Sequence, residues 1–155
     1  LHGSVASHSL VTAPEQEVCV TVTMVDGLVL ARSAFHHSMN YRSAVVVGRP
    51  RVVTEPDEVH RALALVVDQV VPGRSQTLRS HTRKELAATR VLALPLLESS
   101  VKARAGGPVD DEADVASGGW AGVVPVCTTL GAPVTAADAD GADVPDDVLR
   151  RVSAK

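Results

Sequence analysis

The chain has 155 residues, 45% apolar and 21% charged, with a formal net charge of −3. That is enough for one domain with a real core but not for two, and no Lys/Arg-rich stripe lies on any predicted element, which excludes a nucleic-acid-binding protein. No apolar run reaches the ~18 residues of a membrane span, and no basic start precedes an apolar segment, so a soluble, cytoplasmic protein is the expectation.

Aromatic residues make up only 2%, so the core is expected to be Val, Leu and Ala, and valine favours strands. Leu1 to Leu10, LHGSVASHSL, reads as the end of a strand entering a helix. Gly3 can take positive φ, and Ser4, Ser7 and Ser9 offer hydroxyls at the junction. Such a turn is either an ordinary serine cap or a phosphate seat. Val18 to Val25 alternates with period two, which predicts a strand. Asp26-Gly27 then predicts a hairpin turn, with Leu28 to Ala31 returning. Cys19 and Cys127 form no CxxC pair and are expected to be buried free thiols.

The polar turn His36-His37-Ser38-Met39-Asn40 leads into a predicted long strand, Tyr41 to Val53, with Gly48 and Pro50 marking irregularity. Hydrogen-bonding side chains at the mouth of an apolar strand suit a planar, polar-edged ligand. Adjacent histidines on an extended chain face opposite ways and no nearby ligand completes a set, so no metal is expected there. Thr54 is the predicted N-cap of a helix carrying Val59, Leu63, Val66 and Val70 on one face and ending at Pro72-Gly73. Arg74 to Ser80 is read as a linker. Thr82 to Glu85 has the capping-box pattern of a short helix. Val91 to Leu97 reads as a buried strand interrupted at Pro95. Residues 98–119 read as a polar loop in which Asp110, Asp111, Glu112 and Asp114 are solvated acids. Trp120 to Val126 is a last strand, its tryptophan either a core anchor or a ligand-packing ring. From 128 onward an Ala/Asp/Gly-rich flexible tail is expected, with a short turn at Asp146 to Val152.

Four blocks, LHGSVAS, ARSAFHHSMNYRSAVVVGRPRVV, KELAATRVLALPL and WAGVVPV, together resemble the pyridoxamine 5'-phosphate oxidase-like, FMN-binding split-barrel proteins, among whose relatives are nitroimidazole reductases. The resemblance implies a mainly β fold with peripheral helices (α+β), a Greek-key-like split β-barrel over residues 1–127 followed by the 128–155 tail. It further implies that the opening strands of the barrel precede Leu1, leaving this barrel N-terminally incomplete. FMN would lie at a homodimer interface, and the protein would act as an oxidoreductase on a small electron-poor or nicotinamide-type substrate. Carried over by resemblance, His2, Gly3, Ser4 and Ser7 form the phosphate turn. His37, Asn40, Tyr41, Arg42 and Ser43 line the flavin, Lys102 and Arg104 reach its phosphate or ring from the segment between the third and fourth blocks, and Trp120 packs near it at the start of the fourth. His37 and His2 are the candidates for proton delivery, because imidazole titrates near neutrality. Where relatives carry Arg or Lys beside the phosphate, this chain has His8 and Val11. The alternatives are a non-catalytic dimerising or small-ligand module, or a barrel holding deazaflavin or haem.

Overall fold

The computed structural model describes residues 1–139 and 141–153; positions 140, 154 and 155, part of the expected tail, lie outside the described residues. In chain order the elements are β1 (His2–Ser4), α1 (His8–Thr12), β2 (Val18–Leu30), β3 (Ser38–Gly48), β4 (Arg51–Val52), α2 (Pro56–Val70), α3 (Arg83–Ala88), β5 (Thr89–Ala93), β6 (Glu98–Arg104), α4 (Glu112–Ser117), β7 (Gly122–Pro125) and α5 (Asp146–Ser153). Two antiparallel sheets with helices make the expected α+β fold, and neither sheet closes on itself. The chain divides into two compact units. Unit 1 comprises Leu1–Glu17, Arg49–Leu94 and Thr129–Lys155; unit 2 comprises Val18–Gly48 and Pro95–Thr128.

Unit 1 is built on a three-stranded sheet of order β1-β5-β4. The central strand β5 carries the buried Val91 and Leu92, and Val91 joins Val53 and Leu63 in a core flanked by Val59, Ala62, Leu86 and Ala93. Of the stripe predicted for α2, Val59 and Leu63 pack in this core with Ala62 beside them, whereas Val66 and Val70 are exposed. Its N-cap is Glu55 rather than Thr54, with no side-chain capping bond, and Asp57 and Glu58 lie in the first turn. The run stops at Val71, Pro72 and Gly73, whose φ of 81° is the left-handed conformation glycine adopts at least cost. The capping box is present: the Thr82 hydroxyl accepts from the Glu85 N–H at 3.2 Å, and the Glu85 carboxylate accepts from the Thr82 N–H at 2.8 Å. The strand expected over Val91 to Leu97 is β5, which ends before Pro95 and leaves Leu96 and Leu97 exposed. The turn expected near the C-terminus is α5. Its buried Asp147 accepts long hydrogen bonds from Arg74 and Thr77, and Arg151 Nε donates to the Val70 carbonyl at 2.9 Å. Burial pushes the Asp147 carboxyl up, but the Val148 N–H and Arg74 outweigh it and hold it below its ordinary value.

Unit 2 is a four-stranded antiparallel sheet of order β6-β3-β2-β7. Three sequence expectations are corrected here. First, Asp26-Gly27 is not a hairpin turn: β2 runs straight through it as one strand, with a register shift between Val25 and Gly27. Strands β3 and β7 flank β2 on either side at that point, so ladder bonds continue where a turn would have ended them. A Cβ at Gly27 would lie 3.0 Å from Val123 Cγ1 and 3.3 Å from the Val124 carbonyl oxygen, so glycine is what lets β7 come alongside. Second, the long strand expected over Tyr41 to Val53 divides at Arg49-Pro50 into β3 and β4, which belong to different sheets, as a proline without an N–H favours. Third, residues 98–119 are not a loop: β6 pairs with β3 from Tyr41↔Arg104 to Val47↔Glu98, and α4 follows with Asp111 as N-cap. Both cysteines are free, as expected, but exposed rather than buried.

Candidate functional site

Register decides which of the candidate side chains share a surface. In an antiparallel pair, residues directly opposite each other point to the same face and neighbours along a strand to opposite faces. Ser43 lies opposite Thr23 on β2 and opposite Lys102 on β6; Tyr41 lies opposite Val25 and Arg104. One face of unit 2 therefore carries Tyr41, Ser43, Thr23 and Lys102 across three strands. The Thr23 and Ser43 hydroxyls are 2.8 Å apart and hydrogen-bonded. Thr23 was not among the candidates. Its alternation with Cys19 and Thr21 was legible, but only the register places it beside Ser43.

Arg42 falls on the other face. Its guanidinium is a fork closed on Asp26, with Nε donating at 2.9 Å and Nη2 at 2.8 Å. The hydrogen bond from Arg42 holds the Asp26 carboxyl below its ordinary value. Asn40 is buried and internally committed. Its Oδ1 accepts from Arg104 Nη1 at 2.7 Å and from the Gly106 N–H at 3.2 Å, and its Nδ2 donates to the Gly106 carbonyl at 3.0 Å. Arg104 also donates to the Gly107 carbonyl. Asn40 and Arg104 thus pin the chain leaving β6.

The β2–β3 connection makes one turn of 3-10 helix, Ala34–His36. His37 Nδ1 lies 2.8 Å from the Ser33 carbonyl oxygen. A carbonyl only accepts, so it is Nδ1 that carries a proton and donates in this bond. His36 Nε2 is 3.4 Å from Asp111 Oδ2, and the ligand atoms of His36, Asp111 and Asp114 lie within 4.8 Å of one another. The histidine turn and the acidic run, far apart in sequence, meet here; Asp110 anchors the approach by accepting from the Arg32 N–H and guanidinium, each at 2.8 Å. Ser33 Oγ is buried and has no partner. Phe35, 90% exposed, packs edge-on to His36, and Trp120 is 68% exposed, so the tryptophan is not a core anchor.

In unit 1 the serine turn follows β1. His2 lies opposite Val91 and is exposed; Gly3 lies opposite Arg90, and a Cβ there would sit 2.7 Å from Leu10 Cδ1. Ser4 Oγ accepts from the Ala6 N–H at 3.2 Å, the Ser7 N–H donates to the Ser4 carbonyl, and the Ser7 hydroxyl makes no capping bond. His8 and Val11 are exposed. Arg90, half-buried on β5, faces the same side as Gly3 and donates to the Leu10 carbonyl at 3.4 Å. Sequence spacing gave no hint of it, since β1 and β5 are far apart along the chain. Among the described residues no helix is long and apolar enough to cross a membrane.

Comparison with known proteins finds a family model described as pyridoxamine 5'-phosphate oxidase matching residues 1–103. A solved flavocytochrome from Azotobacter vinelandii is similar at 36% identity and a TM-score of 0.89, over 96% of this chain and 70% of its own. A protein from Mycobacterium smegmatis described as binding FAD and haem is similar at 44% identity and a TM-score of 0.93, over 98% of this chain and 76% of its own. None of the curated proteins matches.

Proposed function

Because the chain belongs to the pyridoxamine 5'-phosphate oxidase family, we propose that it holds a flavin nucleotide and acts as a flavin-dependent oxidoreductase on a small electron-poor or nicotinamide-type substrate. The observation that carries this reading is the donor set on one face of unit 2: the Thr23–Ser43 hydroxyl pair, the Lys102 ammonium and the Tyr41 phenol. An isoalloxazine offers a flat ring with carbonyl oxygens and ring nitrogens along one edge. Hydroxyls that both donate and accept, with one cation beside them, fit that edge in chemistry. The bound flavin supplies hydride or electron-pair transfer, and the protein supplies position and electrostatics. Lys102 stabilises negative charge at the ring's electron-rich edge, while Ser43 and Thr23 fix its orientation.

FMN is the nucleotide the sequence resemblance implies; the 44%-identical neighbour, described as FAD-binding, favours FAD instead. The working form is a homodimer, since Val22, Met24 and Val101 leave an exposed apolar strip on the face of unit 2 opposite Ser43. Denaturing the purified protein and chromatographing the supernatant tests the reading. Released FAD is the expected result, released FMN would change the nucleotide alone, and a protein that neither carries nor takes up any flavin would overturn it.

A second reading adds a haem. It is favoured by the two similar structures, one described as a flavocytochrome and the other as binding FAD and haem. Exposed imidazoles in both units are the donor type that haem iron takes.

A further inference from the structure

We propose that His36, Asp111 and Asp114 bind a single divalent transition-metal ion of the zinc type. Neither the flavin nor the haem reading is needed for it. Among the described residues these are the one group of three His, Cys, Asp or Glu side chains whose ligand atoms all lie within 4.8 Å of one another. His36 ends the 3-10 turn between β2 and β3. Asp111 and Asp114 stand three residues apart across the first turn of α4, the spacing that brings two side chains together on one side of a helix. The two adjacent histidines do not make a ligand set by themselves. Chain return after β6 brings in the two carboxylates that complete one.

One distance separates this group from an ordinary ion pair. His36 Nε2 is 3.4 Å from Asp111 Oδ2, longer than the roughly 2.7–2.9 Å of a charge-assisted hydrogen bond. Two ligands each about 2.0–2.2 Å from a tetrahedral zinc stand about 3.4 Å from each other, so the gap already matches one edge of a coordination shell. The carboxylates are also uncommitted. Asp111 makes no side-chain capping bond to α4, although aspartate is a favoured cap. Among the described residues, neither Asp111 nor Asp114 pairs with a lysine or arginine. Asp110 is not a ligand: its side chain, 1% exposed, spends both oxygens on the Arg32 N–H and guanidinium, and so clamps the acidic run beside the histidine turn. The same turn carries Ser33 Oγ, the one buried side-chain polar atom without a partner among the described residues, so the turn as it stands is one hydrogen bond short. Two carboxylates balance the charge of a divalent ion, and the imidazole selects a transition metal over calcium or magnesium. With the Asp111 side chain 79% exposed, the site is open for an ion to enter and for water to fill its remaining positions.

The test is calorimetric titration of zinc chloride into the chelator-stripped full chain, with His36→Gln, Asp111→Asn and Asp114→Asn alongside. His60→Ala is the control for the other histidine pair, His60 and His81, whose rings stack with centroids 6.2 Å apart. Wild type and His60→Ala are expected to bind one zinc per chain with equal affinity, undisturbed by excess magnesium or calcium. Each of the other three variants should bind about a hundredfold or more weakly, since even the outer partners of a metal ligand are worth up to about that factor. Cobalt(II) in place of zinc should give visible absorption bands in wild type that these three lose. All three substitutions are close in shape to the native side chain, and a metal-free melting midpoint equal to wild type shows that a lost zinc is a lost ligand rather than a lost fold. A wild type that takes up no zinc would overturn the proposal. So would zinc affinity unchanged in His36→Gln and Asp114→Asn, or a zinc site that disappears in His60→Ala instead.

Discussion

At the scale of single residues, a side chain's freedom to bind something else depends on what it already holds. Arg42 and Ser43 are adjacent, yet the strand turns them to opposite faces, and Arg42 spends its fork on Asp26. Ser43→Ala and Lys102→Ala are therefore expected to lower flavin content, whereas Arg42→Ala should leave it near wild type and weaken the bulge that Asp26 anchors. The flavin-to-protein absorbance ratio of the three variants checks this, and loss of flavin from Arg42→Ala alone would reverse the assignment.

At the scale of elements, legibility followed how local each signal was. The capping box of α3 needs only four consecutive residues and was read correctly from Thr82 to Glu85. Replacing Thr82 by Ala should cost about 1 kcal/mol of stability, read from the denaturant midpoint at unchanged slope. The Arg79 guanidinium, with the Thr82 N–H, also holds the Glu85 carboxyl well below its ordinary value. A depressed folded value means that this stabilisation is complete above the ordinary glutamate range and is lost as the pH falls beneath it. The loss should be blunted by salt, because the pair is largely exposed. Asp26-Gly27 carried an equally strong local signal and misled, since the neighbours on both sides of β2 override it and no single sequence shows them. β6 was missed for the opposite reason. Its ESSVKAR has one β-branched residue, and its pairing with β3 makes it a strand. The hydroxyl pair Thr23–Ser43 and the meeting of His36 with Asp111 were out of reach for the same cause: both depend on register and chain return, while the strand types around them were legible from alternation alone.

At the scale of the whole molecule, the family and the α+β class were legible from four short blocks in order, and the division into two units was not. The apolar strip of Val22, Met24 and Val101 belongs to this scale too, since a single copy leaves it in water. The native mass measured by light scattering should be twice that of the 16.1 kDa chain. Val22→Asp with Val101→Asp should halve it, because burying two unpaired charges at an interface is prohibitive. A wild-type protein that runs as a monomer at every concentration would remove the homodimer from the account.

The most direct measurement is a titration of flavin-free protein into a fixed amount of FAD, following flavin fluorescence. A ring held against Tyr41, Ser43 and Lys102 should be quenched saturably at one flavin per chain, and the quenching should fade in Lys102→Ala. Fluorescence that stays at the level of free FAD throughout the wild-type titration would contradict the account.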